Sequence, residues 1–103
     1  MERINNLPKL YVTISTKIIN NEYYIEKVNF WTGRPTEYKM KEYNVNKCFT
    51  LNSIDKSKVL YNLINSAYID NSNYHILKHP NWIMAVEIIK SKIANKYGWK
   101  IEE

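Results

Sequence analysis

Apolar and polar residues alternate between Leu10 and Ile19. Leu10, Val12, Ile14 and Ile18 fall on one side, and Tyr11, Thr13, Ser15 and Lys17 on the other. A period of two with β-branched enrichment predicts a half-buried strand over about 10–19, and residues 23–31 read as a second strand. Asn20-Asn21 is the turn signal between them, because Asn tolerates positive φ. The apolar pattern also argues the register. A two-residue loop would set Ile14 against Lys27 and Val12 against Asn29. A three-residue loop, Asn20-Asn21-Glu22, sets Ile18 against Tyr24, Ile14 against Val28 and Val12 against Phe30. One slip moves every side chain to the other face, so the second register is expected. It turns Glu26 inward, beside Thr16.

Thr32-Gly33-Arg34-Pro35 is the next turn. Residues 36–44 read as a third strand, with Tyr38 and Met40 inward and Glu37, Lys39, Lys41 and Tyr43 outward. Phe49 and Leu51 are placed either in a short fourth strand or as a plug at the core edge. Ser53-Ile54-Asp55 offers N-cap oxygens, and Val59, Leu60, Leu63, Ile64, Ala67 and Tyr68 follow at helical spacing, predicting a helix over about 55–69. Asp70-Asn71-Ser72-Asn73 ends it. Pro80 suits the first turn of a second helix over about 80–97. Its apolar stripe includes Trp82, Ala85, Val86, Ile89, Ile93 and Tyr97. Gly98 stops that helix, and Trp99 is placed to pack back on its last turn. With no repeat and no linker, the 103 residues are expected to form one α+β domain: an antiparallel three-stranded meander with two C-terminal helices on one face.

Composition narrows the function classes. Fourteen Asn, 14 Ile and 13 Lys against 3 Ala, 2 Gly and 2 Arg indicate an AT-rich gene, a coding bias that points to a phage, virus or other mobile element. The net charge of +5 raises encounter rates with anionic partners and argues against mimicry of DNA. The same lysines also serve solubility. The start of the chain lacks the apolar run of a signal peptide, and no stretch approaches the roughly 20 apolar residues that cross a bilayer. A cytoplasmic protein without a membrane partner is expected, with its single cysteine, Cys48, reduced.

Catalytic chemistry has little to stand on in the sequence. His75 and His79 have the spacing of two ligands on one helix face, but Pro80 disfavours helix there and no acidic residue lies between 71 and 86. No Gly-x-Ser-x-Gly elbow exists, and no base can be placed beside Cys48. Asp55 and Asp70 sit where helix-boundary residues belong. We therefore expect no catalytic residue, no metal site and no cofactor.

The stronger lead is aromatic and basic. Two helices cover one side of a sheet and leave the other open. Tyr11, Lys17, Lys27, Trp31, Lys39, Lys41 and Tyr43 are assigned to that open side, with Arg34 at the adjoining loop tip. Aromatics among lysines suit a protein interface, and also a stacking platform for single-stranded nucleic acid. Tyr11 and Trp31 could equally be a stabilising cross-strand pair. A second basic patch, Lys92, Lys96 and Lys100, lies near the end of the last helix, where cations also favour the helix dipole. Three strands followed by a helix resemble the order of phage-type integrase arm-binding domains, which implies a DNA-contacting sheet with Lys27, Lys39 and Lys41 upon it. The expected function is a non-catalytic module that binds, and thereby inhibits, a host protein or nucleoprotein complex. A DNA- or RNA-binding regulator using the same face is the alternative, and a homodimer through the open face or an edge strand is also open.

Overall fold

The computed structural model describes residues 9–70 and 76–102. Strands β1 (Tyr11–Ile19) and β2 (Glu22–Trp31) form the expected hairpin, followed by helix α1 (Glu37–Glu42), strand β3 (Lys47–Thr50) and the short helix α2 (Leu51–Ile54). Helices α3 (Val59–Asp70) and α4 (Pro80–Tyr97) come next, with a 3₁₀ turn at Ile76–Lys78 between them, and strand β4 (Lys100–Ile101) closes the chain. Among the described residues the sheet has four strands in the order β3-β1-β2-β4. Its pairs are antiparallel except the parallel β2–β4 pair. The α+β class stands.

The hairpin keeps the expected register over its distal half, with Val12 opposite Phe30 and Ile14 opposite Val28. The turn differs. Asn20 and Asn21 both adopt positive φ, 53° and 68°, and form a two-residue turn in which Ile19 pairs with Glu22. The extra residue is absorbed further along, by a bulge that pairs Ser15 with Lys27 and Thr16 with Ile25. Glu26 is left unpaired and exposed rather than turned inward. The bulge lets Ile25 and Val28, three apart, face the same flank.

Residues 36–44 are not a strand. Thr36 caps α1, its hydroxyl accepting the Lys39 amide at 3.2 Å, and Asn44 ends the segment at φ 55°. Glu, Lys and Met are good helix formers, and the cap decides between two periodicities that so short a segment satisfies equally. The third strand is instead Lys47–Thr50, and it pairs with β1 on the edge away from β2. A helix thus separates the second strand from the third, and the element order no longer matches that of the integrase arm-binding domains.

Helix α4 spans the expected residues. His79 caps it, its Nδ1 accepting the Asn81 amide at 3.1 Å, and Gly98 ends it at φ 71° with its amide on the Ala94 carbonyl. Helix α3 starts four residues later than expected because Asp55 caps from outside, taking the Leu60 amide at 2.6 Å and the Ser57 amide at 3.0 Å. Leu60, Ile64 and Ala67 of α3 and Ala85, Ile89 and Ile93 of α4 close one core over Val12, Ile14 and Ile25. We call this side of the sheet the inner flank.

Candidate functional site

The outer flank is not bare. β2 ends beside Tyr11 and β3 begins beside Ile14 on the opposite edge of β1, so residues 32–46 must pass over β1. They do so on the outer side. The Ser15 hydroxyl donates to the Tyr43 carbonyl at 2.8 Å, and the Thr16 amide donates to Asn46 Oδ1 at 2.7 Å. Thr13 and Ser15 are consequently only 1% and 2% exposed. The two C-terminal helices, α3 and α4, cover the inner flank as expected, but the expectation of an open outer flank is corrected: the connection after α1, through Tyr43 and Asn46, covers part of it.

This rearranges the residues singled out from the sequence. Tyr11 pairs with Trp31 across the strands, and the Trp31 indole N–H donates to the Thr13 hydroxyl at 2.8 Å. Tyr43 meets Trp31 edge-on, with centroids 5.3 Å apart. Lys39 and Lys41 stand on α1 and Tyr43 at its C-cap, not on a strand. Arg34 is exposed in the loop before α1. Lys27 is exposed opposite Ser15, beside the bulge, and Lys17 is tied to Glu102 at 2.6 Å. That hydrogen bond holds the Lys17 ammonium above the ordinary lysine pKa against the opposing effect of desolvation. The structure thus brings Tyr11, Trp31 and Tyr43 together near α1 and leaves Lys17 and Lys27 toward the hairpin end.

Helix α1 buries none of its side chains. Tyr38 is 75% exposed, and Glu37, Met40, Lys41, Asn44 and Val45 line a cleft of about 490 Å³ beside it. Charges alternate here. Lys39 lies 3.5 Å from Glu42, and Glu37 stands near Lys41 in the cleft lining.

A second surface, missed from the sequence, lies at the rim of the inner flank. Phe49 of β3, Tyr97 at the end of α4, Trp99 and Tyr23 of β2 form a row with successive centroids 6.0, 5.0 and 6.3 Å apart. The Lys47 ammonium lies 5.3 Å from the Tyr97 ring centre, and Lys96 lies 5.7 Å from that of Phe49. Lys92 and Lys96 line an adjoining cleft of about 260 Å³ with Ser53 and Asn95. The predicted basic patch is therefore divided. Lys92 and Lys96 belong to this rim, whereas Lys100 reaches toward Glu22 at 3.9 Å. A sequence signal existed: no acidic residue occurs between Glu42 and Asp55, or between Glu87 and Glu102.

The remaining candidates have structural roles. His79 spends Nδ1 on its cap and points Nε2 at Asp70, 3.3 Å away. His75 lies outside the described residues, among which no cluster of three potential metal ligands occurs. Cys48 is half-buried opposite Thr13. Burial pushes the Asp55 carboxyl up in pKa, but the Leu60 amide, the Ser57 hydroxyl and amide and the Lys92 charge outweigh it and hold the group below its ordinary value. Among the described residues no helix is long and apolar enough to cross a membrane. Comparison with known proteins finds no matching family model, no similar curated protein and no similar solved structure.

Proposed function

We propose that the protein is a non-catalytic interaction module that binds a protein, alone or within a nucleoprotein complex, through its outer flank. The observation that carries this reading is α1 itself. It buries no side chain, it exposes Tyr38 with Lys39 and Lys41 on the same short helix, and its C-cap, Tyr43, meets Trp31. Exposed aromatics beside mixed charge are the composition of a protein interface. The interleaved Glu37 and Glu42 make the same flank a poor track for a polyanion, which counts against the alternative of a nucleic-acid regulator acting there. The coding bias suggests as partner a host complex of the kind that a mobile element inhibits, and a second copy of the chain is the competing occupant.

The test is affinity capture from nuclease-treated host extract, comparing the wild type with Tyr38→Ala. A protein retained in high salt by the wild type and released about 30-fold more readily by the variant supports the reading, as expected for a central aromatic anchor. A partner that survives Tyr38→Ala and Tyr43→Ala alike, or the retention of no protein at all, sinks it. Sedimentation showing a concentration-dependent dimer broken by Tyr38→Ala would assign the flank to self-association instead.

A further inference from the structure

The rim of the inner flank points to a different ligand: we infer that the row Phe49–Tyr97–Trp99–Tyr23 is a stacking track for single-stranded nucleic acid, with Lys47 and Lys96 as its phosphate contacts. The inference goes beyond the protein-binding role of the outer flank and uses none of its residues.

Three observations combine. First, three of the four rings are anchored. Phe49, Tyr97 and Trp99 pack against the core, so the row is rigid before any ligand arrives, while Tyr23 at its end is 50% exposed. Strands β3 and β2 and the end of α4 supply the rings, and their relative positions are fixed by the sheet and by the left-handed Gly98 that turns Trp99 back onto Tyr97. Tyr97 and Trp99 stack on one another, which occupies a face of each; the ring faces left over would take bases without regard to sequence, because any base has a π-face.

Second, these cations have no carboxylate partner among the described residues. Among the described residues neither Lys47 nor Lys96 has an acidic group within ion-pairing distance, unlike Lys17, Lys39 and Lys100 on the other flank. They rest over ring faces instead. At an exposed site that contact is worth only about 0.5–1 kcal/mol, so a phosphate can draw the ammonium aside and uncover the ring for a base. Helix C-terminal lysines are stabilised by the dipole, but that account does not place Lys47 of β3 over the same ring from another element.

Third, the row continues into a cleft. The hollow of about 260 Å³ lined by Lys92, Lys96, Ser53 and Asn95 offers one further cation, Lys92, which also lies near the Asp55 carboxylate, and the hydrogen-bonding groups of Ser53 and Asn95, where the strand would leave the rings. Charge complementarity selects the occupant. A protein segment would satisfy the aromatics equally, but a polyanion also uses Lys47 and the lysines of the acid-free stretch between Glu87 and Glu102.

Fluorescence anisotropy of the full-length purified protein with labelled oligo(dT), oligo(U) and a duplex tests this directly. Both single strands should bind and the duplex should bind more weakly, since its bases are not available to the rings. The affinity should fall with salt, and Lys47→Ala and Lys96→Ala should each lower the slope by about 0.7. Tyr23→Ala, which removes an exposed ring and leaves the core intact, should weaken binding about 5- to 150-fold. The intrinsic fluorescence change on titration should be lost in Trp99→Phe. Absence of binding at low salt, equal affinity for the duplex, or binding indifferent to Tyr23 and Lys96 overturns the inference. Because no partner protein is present, none of these outcomes bears on the outer flank.

Discussion

Val12 and Ile14 on the inner flank are fully buried, and their neighbours on the outer flank, Thr13 and Ser15, are buried almost as deeply. The means differ. Two helices of 12 and 18 residues cover the inner side with Leu60, Ile64, Ala85, Ile89 and Ile93. The connection that follows a six-residue helix, itself burying nothing, covers part of the outer side through Tyr43 and Asn46, which hydrogen-bond Ser15 and Thr16, while Trp31 of β2 closes over Thr13 from within the sheet. Non-directional apolar burial holds one layer, and directed polar contacts hold the other. A layer held by few directed contacts can present its outward side chains to a partner without loss of core. A layer built on the core can offer only its rim, which is where the aromatic row lies.

The contrast is most exposed to test by cavity formation. Ile64→Ala on the inner side should cost about 2–5 kcal/mol in urea unfolding, because the removed methyl groups leave a space that α3 and α4 cannot close. Met40→Ala, in α1, should cost about 1 kcal/mol or less, since little apolar area is buried there. Equal costs would mean that the outer layer belongs to the core.

The same contrast explains what could be read from the sequence. Elements that bury an apolar stripe were legible: the distal hairpin register, the α3 stripe and the whole of α4, where Pro80 and Gly98 mark both ends. Elements governed by polar detail were not. In Glu37-Tyr38-Lys39-Met40-Lys41, alternation of two and a helical turn fit equally well, and the outcome rests on one hydroxyl, that of Thr36. At the hairpin, a third loop residue and a bulge at Glu26 restore the same apolar pairing, so the apolar pattern could not choose between them. The consecutive Asn residues, both suited to positive φ, were the available sign of the shorter turn. The aromatic row joins residues from three distant segments, and only the absence of acidic residues around two of them hinted that they share a surface.

One inner-side element breaks the apolar rule. Asp55 is buried and accepts the Leu60 amide in the first turn of α3. Asp55→Ala should cost about 1–3 kcal/mol at neutral pH by leaving the buried Leu60 amide without a partner. The folded-state pKa of Asp55 is depressed, so its stabilisation is present above its unfolded pKa and is lost as pH falls through the folded value. The stability gap between wild type and variant should therefore narrow below about pH 4. A gap that widens on acidification would contradict the charged cap.

The smallest effect is the most diagnostic for the outer layer. Trp31→Phe keeps a ring against Tyr43 but removes the N–H that meets the Thr13 hydroxyl, leaving that oxygen buried without its donor. The expected cost is about 1 kcal/mol. Thr13→Val alone should cost a similar amount, because it leaves the indole N–H unmatched. If the directed bond is what fixes Trp31 over the outer flank, the double variant should cost clearly less than the two single costs combined, since neither polar group then remains to be satisfied. Additive costs would show instead that ring packing holds Trp31 in place, and the division between an apolar inner side and a polar outer side would have to be redrawn around the Trp31–Tyr43 contact.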